Sequence, residues 1–444
     1  MITASSTTGQ EPALKPLQKL GGVFIALALL AIISALAGKA GSAGAWLAII
    51  ISGFTLGAVL FAWPYYAGHA GIKNNGIMFR DLSSRGMISW VVGIVLTAFY
   101  IILYWKAEWL QGLIHVFDPL SMMLSGKPAD QWFMYGSFYT LAILTMGFRY
   151  IGKYRHSRYH VIRTISVMFF QLGFAFLIPM FLKKLNQPEF YFSYFWPLKY
   201  SYLFPNDVHY LSDAGNLGVF MVAWGAVMTF IATPFLTYKF GKRWYCSWVC
   251  GCGGLAETAG DEFRHLSDKS VKAWKIERWM IYSVLVFITV TTSLLWINAY
   301  YHGSILGAVS GQFAQWYGFI IGAVFSGVIG VGFYPIMGAR VWCRFGCPMA
   351  AVLGIFQKFK SRFRITTNGG QCISCGNCST YCEMGIDVRS YAQKGQNIVR
   401  ASCVGCGVCA SVCPRGVLKL ENGPEENRVQ DKPIIIGNQI TVNL

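Results

Sequence analysis

The 444-residue chain is 55% hydrophobic, 16% aromatic and only 13% charged, roughly half the charge of an ordinary soluble domain. That excludes a disordered chain and a soluble two-domain enzyme. Its 37 Lys and Arg against 19 Asp and Glu leave a net charge of +18, which beside long apolar runs reads as the basic loops of an integral membrane protein rather than nucleic-acid binding.

Eight runs are long and apolar enough to cross a bilayer. They are Gly21–Ala37, Ala45–Tyr66, Met87–Trp105, Phe133–Ile151, Ile162–Leu182, Leu217–Tyr238, Trp279–Asn298 and Tyr317–Ile336. Lys15 and Lys19 precede the first run and Ala35-Leu36-Ala37 resembles a cleavage site, so a signal peptide is the alternative to an uncleaved first helix. With both termini on one side, 31 of the 37 Lys and Arg fall there, including Lys73, Arg80 and Arg85 after the second run. Only Lys39, Lys106, Lys127, Lys183, Lys184 and Lys199 remain on the other side. The positive-inside rule then makes the first side cytoplasmic.

The seven histidines, His69, His115, His156, His160, His209, His265 and His302, fall in loops or at helix ends. A haem held between facing histidines inside the spans is not expected. His156 and His160 can share a helix face, but beside Arg155 and Arg158 they read as a solvated loop. The outer segment Pro188–Tyr210 holds ten aromatics among 23 residues. It reads as an interfacial aromatic belt, with a quinone-binding or docking surface as the alternative. Asp207 and His209 are its candidate proton acceptors.

Thirteen cysteines lie between Cys246 and Cys413 and none before. An odd, clustered set on the cytoplasmic side argues for metal rather than disulfides. Gly241-Lys-Arg243-Trp-Tyr245-Cys246-Ser-Trp-Val-Cys250 follows the sixth run, and Gly338-Ala-Arg340-Val-Trp342-Cys343-Arg-Phe-Gly-Cys347 follows the eighth. The two align as G-x-R-x-aromatic-C-x₃-C, 97 residues apart, and mark an internal repeat whose interface is a candidate site. CxxxC at helical spacing places both thiols on one face of a turn. Together Cys246, Cys250, Cys343 and Cys347 can bind a further iron–sulfur cluster or copper, act as redox dithiols, or be inert buried thiols. Arg243 and Arg340 are positioned to favour the thiolates. Cys252 is an extra thiol in the first copy only.

Cys372, Cys375, Cys378 and Cys382 form CxxCxxCxxxC, repeated by Cys403, Cys406, Cys409 and Cys413. In the bacterial two-cluster ferredoxin run the fourth cysteine ligates the other cluster. Cluster one should use Cys372, Cys375, Cys378 and Cys413, and cluster two Cys403, Cys406, Cys409 and Cys382. Zinc, with four ligands per ion, gives no reason for the duplicated run. Glu383 stands where proline commonly follows the fourth cysteine, which should loosen the turn.

Paired CxxxC motifs at membrane-helix ends ahead of a two-cluster ferredoxin run resemble the NapH/NosR/CcoG group of membrane polyferredoxins, over roughly residues 160–420. The resemblance implies two [4Fe–4S] clusters and a multi-pass protein of the bacterial inner membrane, with both termini and every cysteine cytoplasmic. It also implies a quinol-linked electron-transfer subunit, with the lipid bilayer, quinone or quinol, and a cytochrome or iron–sulfur subunit as partners. The copper-handling branch of the group makes a cupric reductase for oxidase assembly the alternative. The expected architecture is an all-α polytopic membrane bundle of about eight helices with a C-terminal α+β ferredoxin-like two-cluster domain. The expected divisions are 1–20 (N-terminal segment), 21–160 (four helices), 161–350 (the four-helix repeat), 365–422 (ferredoxin-like) and 423–444 (tail).

Overall fold

The computed structural model describes residues 15–39, 41–66, 86–368 and 371–423, together with two short strands, Ile434–Ile436 and Ile440–Val442. His69, Lys73, Arg80 and Arg85 lie outside the described residues, as do most of the expected N-terminal segment and tail. Among the described residues, seven helices are long and apolar enough to cross a membrane: α1 Pro16–Leu36, α2 Ala43–Pro64, α3 Met87–Trp105, α5 Arg158–Lys184, α6 Asn216–Phe240, α8 Val271–Tyr300 and α9 Val309–Ile329. The eighth expected span is the helix α4, Gln131–Tyr154. It falls short of the seven in apolarity because it buries a polar stripe of Ser137, Thr140, Thr145 and Lys153. That stripe is enclosed by α2, α5 and the short helix α7, Gly251–Thr258. A helix facing protein on most sides needs no apolar surface for lipid.

The other seven show the inverse pattern. Leu30, Ile33, Ile94, Val95, Phe230, Ile231 and Val286 are all more than half exposed, as expected of side chains that meet lipid rather than water. Helix pairing instead uses small residues, because apolar surface gains nothing by leaving lipid and close backbone approach supplies the dispersion energy. Helices α1 and α2 meet through buried Ala28, Ala31 and Ala35. Gly53 sits against the backbone of Phe24, and Gly57 against Ile25 and the Gly21 carbonyl.

The segment after α5 departs from the expected aromatic belt. Phe190, Phe195 and Tyr202 are each 1% exposed, and Phe204 is also buried. The loop dips back into the bundle. Trp196 donates its indole N–H to Thr292 of α8, and Thr229 of α6 donates to the Trp196 carbonyl. Irregular backbone at such depth is tolerated where it is enclosed by protein, and these aromatic faces fill the space between α6 and α8. Asp207 accepts a hydrogen bond from Ser201 at the start of a short helix, Pro205–Asp213.

Past α9, helix α10 (Pro348–Lys360) leads into strand β1, Phe363–Thr367, which pairs antiparallel with β2, Leu418–Asn422. The cysteine loops lie between these strands. Two one-turn helices, Asn377–Thr380 and Val408–Ser411, each begin after a left-handed glycine, Gly376 and Gly407. The pattern repeats within the domain as the sequence does.

Gly57→Val should push α1 from α2 and lower stability by roughly 1–3 kcal/mol, read as a fall in the melting temperature of the detergent-solubilised protein. Gly22→Val, with open space around the new carbon, should leave that temperature unchanged.

Candidate iron–sulfur centres

Each CxxxC copy is built the same way. Gly241 closes α6 with φ +69°, and Gly338 closes the turn Tyr334–Met337 with φ +91°. The first cysteine follows on a short helical segment, Arg243–Cys246 or Trp342–Gly346. The second cysteine is then the N-cap of the next helix: Cys250 for α7 and Cys347 for α10. The expected single turn carrying both thiols is therefore interrupted, because the chain reverses into a new helix at the second cysteine. That arrangement presents backbone N–H groups of Cys252 and Gly253 to Cys250, and of Ala350 to Cys347. Unpaired N–H groups at a helix start favour a thiolate.

Cys246, Cys250, Cys343 and Cys347 are all buried and share one core cluster. Burial, with mutual repulsion among them added, pushes the Cys246 and Cys347 thiols up, Cys246 to about 12. The cations of the repeat are not equivalent. Arg340 is buried and reaches the Cys343 sulfur at 3.7 Å and the Cys246 carbonyl at 3.4 Å. Arg243 instead stacks on Phe363, 4.9 Å from the ring centre, and donates to the Phe240 carbonyl. Lys242 takes its place as the cation acting on Cys246. Arg340 lowers the Cys343 and Cys246 thiols as the sequence suggests, Arg243 does not act on them, and burial outweighs the cations so that both thiols stay above their usual range. Cys252 hydrogen-bonds Cys250, which with burial raises the Cys250 thiol.

In the C-terminal domain, one small cavity is lined by Cys372, Cys375, Cys378 and Cys413. A second is lined by Cys382, Cys403, Cys406 and Cys409. These are the two crossed sets that the ferredoxin spacing predicts. The fourth thiol of each run crosses to the other cavity because it lies past the one-turn helix that carries the third, Cys378 or Cys409. Burial raises Cys378 to about 11 and Cys403 to about 12. Backbone N–H groups of Ser379, Met384, Ile386 and Gly405 point at the sulfurs of Cys378, Cys382 and Cys403. Four thiols and inward N–H donors around one closed space suit an anionic iron–sulfur cube.

The second cavity adjoins the CxxxC site. Ser247 donates to the Val404 carbonyl at 2.8 Å, Gln357 to the Cys403 carbonyl at 2.7 Å, and Tyr159 to the Gly405 carbonyl at 2.7 Å. The first cavity lies outward, with Cys375 exposed.

Between the CxxxC site and the second cavity lies a buried charge network. Glu383 pairs with Arg264 and Arg340, each at 2.9 Å. Glu257 pairs with Arg340 at 2.8 Å and with Arg163 of α5. Arg264 pairs with Asp261 at 3.1 Å and approaches the Cys406 sulfur at 3.8 Å. Asp261 also holds Lys153 of α4. Glu383 thus replaces proline with a buried anchor rather than a looser turn. Burial opposes its ionisation, and Arg264 and Arg340 overcome that to hold the carboxyl below its usual range. Glu257, Glu383 and Cys406 lie within 4.8 Å of one another, but three guanidinium groups occupy the surroundings a metal cation would need. His160 belongs here too: it is buried, stacked on Tyr154 at 5.1 Å and bonded to Ser157. Only His156 of that pair is exposed, so the expected solvated loop holds for one histidine and not the other.

A further cavity opens where the CxxxC site faces the bundle. Tyr135, Tyr139, Gln171, Tyr194 and Cys252 line its inner part, and Asp130, Lys183 and Glu189 its mouth. Lys183 pairs with Glu189 at 3.5 Å. The mouth lies at the end of α5 remote from the cysteine domain.

These features define a multi-pass membrane protein with 4Fe–4S binding domains. Residues 371–418 match the 4Fe-4S dicluster domain family. Residues 222–276 and 317–366 match a 4Fe-4S binding domain family, so the second match covers both CxxxC copies. The chain is also similar to the putative electron transport protein YccM of Escherichia coli (strain K12), 24% identical over 159 residues. That match covers 34% of this chain and 44% of the relative, less than half its length. No solved structure matches the chain.

Three outcomes test this geometry. Cys413→Ser and Cys378→Ser should each remove about four irons, and the double variant no more than either. Cys413→Ser with Cys409→Ser should remove about eight, counted by iron analysis after anaerobic purification. Arg340→Leu takes one of two cationic partners from each of two buried carboxylates, leaving Glu257 with Arg163 and Glu383 with Arg264, and should cost about 3 kcal/mol, measured by thermal unfolding. Burial pushes the Asp261 carboxyl up, but Lys153 and Arg264 outweigh it and hold it at about 2, below the usual ~3.9. Its stabilisation is therefore complete above about pH 4 and fades as pH falls toward 2. Asp261→Asn should flatten that part of the melting-temperature profile.

Proposed function

We propose that this protein carries electrons between the membrane quinone pool and a redox partner, as a quinol-linked iron–sulfur subunit. The observation that carries the reading is the contiguity of three thiol sites: the CxxxC four, the inner ferredoxin cavity and the outer one. Iron–sulfur clusters bound there supply one-electron transfer. On this reading Cys372, Cys375, Cys378 and Cys413 hold one cluster, and Cys382, Cys403, Cys406 and Cys409 a second. Cys246, Cys250, Cys343 and Cys347 hold a further one. The exposure of Cys375 supports the outer cavity as the one that meets a partner protein. The similarity to a protein named for electron transport supports the same class.

The chain's own residues supply the chemistry of the membrane side. The cavity at Cys252 offers phenol and amide groups that can hydrogen-bond the oxygens of a quinol, with aromatic faces around them. The Lys183–Glu189 pair closes its mouth, and the inward loop of buried aromatics excludes water from the CxxxC thiols. On this reading the cysteine end of the bundle, both termini and the domain 365–422 face the cytoplasm of a bacterial cell, and the charge asymmetry supports that orientation. One observation favours copper as a second substrate: Cys252 and Met180 line the same cavity, and thiol and thioether are soft donors suited to Cu(I).

Quinol oxidation by the protein in membranes, with an artificial acceptor, should be abolished by Cys343→Ser and by Cys413→Ser. Gln171→Ala should raise the KM for quinol several-fold while iron content stays at the wild-type value. Unchanged quinol oxidation in Cys343→Ser membranes would overturn the reading. Cu(I) retention lost on Cys252→Ser, with no quinol turnover in wild type, would transfer it to the copper substrate.

A further inference from the structure

A second cavity, of about 350 Å³, lies where α8, α10 and the loop before Cys403 meet. Lys242, Arg278, Lys358 and Arg400 line it, beside the Cys343 thiol and the Trp274 ring. Arg278 and Arg400 both stack on Trp274, at 5.3 and 4.5 Å from its ring centre. None of these four cations is paired with a carboxylate among the described residues. The one acid in the lining, Glu277, is already held by Arg344 at 3.0 Å. The Arg400 Nε is buried without a hydrogen-bond partner. Four cations gathered around one space repel one another unless an anion sits between them.

The cavity does not end at its charged rim. It shares Arg278 and Tyr282 with a groove running along α8, lined by Lys275, Trp279, Val286, Phe287 and Val290. The groove is charged at the end nearest the cysteine domain and apolar for the next three turns, on a helix that spans the membrane. The cations alone would suit any phosphate-bearing anion. The apolar continuation selects one with a long hydrocarbon tail.

We infer that this cavity and groove form a binding site for an anionic phospholipid, with its phosphate among Lys242, Arg278, Lys358 and Arg400 and an acyl chain along α8. Basic pockets between membrane helices on the cytoplasmic side recognise such headgroups. The lipid bridges α8 to the Arg400 loop, and so fastens the inner cysteine loop onto the bundle independently of any redox role. A neutral quinone would leave the four charges uncompensated.

Native mass spectrometry of the full-length protein in detergent tests this, with phosphatidylglycerol and phosphatidylcholine of matched acyl chains as probes. Wild type should retain one phosphatidylglycerol under activation that strips phosphatidylcholine. Arg278→Gln with Lys358→Gln should weaken that retention about 25-fold, from about fivefold per cation. The charge-conserving Arg278→Lys with Lys358→Arg should keep it. If the glutamine variant yields no folded protein, the headgroup comparison on wild type and the charge-conserving variant decides. Equal retention of both lipids, or unaltered retention in a folded glutamine variant, overturns the site. Inorganic phosphate competing as well as the lipid overturns the acyl-chain assignment. Preferential retention of a neutral isoprenoid quinone overturns the anionic one.

Discussion

Charged groups withdrawn from water must find opposite charges, and the pairing of Glu383 and Glu257 with Arg163, Arg264 and Arg340 organises this molecule. The five residues come from α5, α7, the segment after α7, the second CxxxC copy and the ferredoxin-like domain. Each would be costly to bury alone, because an unpaired ion in a low-dielectric interior loses several kcal/mol of hydration. None of these parts can therefore shift without stranding a charge in another. The relative placement of the thiol sites follows from that mutual dependence.

The same network sets the electrostatic surroundings of the cysteines. Arg340 faces Cys343 and Arg264 faces Cys406, while the two carboxylates offset their charge a few ångströms away. A thiolate-bound centre here meets a nearly balanced field rather than a strongly basic one. Basic residues that have no carboxylate partner among the described residues line the cavity between α8 and α10. Cations paired with carboxylates and cations without such a partner thus occupy different parts of the molecule.

The segment between α5 and α6 solves a different problem. It lies between α6 and α8, bonded to Thr229 of the first and Thr292 of the second. Phe195 packs on Tyr245 at 5.3 Å, and the Tyr245 hydroxyl donates to the Ser193 carbonyl at 2.8 Å. Residues that emerge at the far end of the bundle thereby touch the motif at the near end, narrowing the distance between the two faces. The cavity at Cys252 lies beside this plug.

Local pattern was sufficient for anything governed by nearby residues. Spans follow from runs of apolar side chains that must meet lipid, and the crossed thiol sets from a spacing that forces three cysteines around one loop and the fourth past it. Where long-range contact decides, the pattern was silent or misleading. Arg243 and Arg340 occupy equivalent positions in the repeat, yet one stacks on Phe363 and the other reaches a thiol, because only the second finds carboxylates across the interface. Glu383 reads as a missing proline until Arg264 and Arg340, far away in sequence, meet it. The ten aromatics of Pro188–Tyr210 have the composition of a membrane-surface belt, and only the contacts with α6 and α8 turn Phe190, Phe195, Tyr202 and Phe204 inside. Helix α4 reads as an eighth lipid-facing span, and its polar stripe is explained only by its neighbours. Solvation of single residues is written along the chain; the partners that replace that solvation are fixed only when distant segments come together.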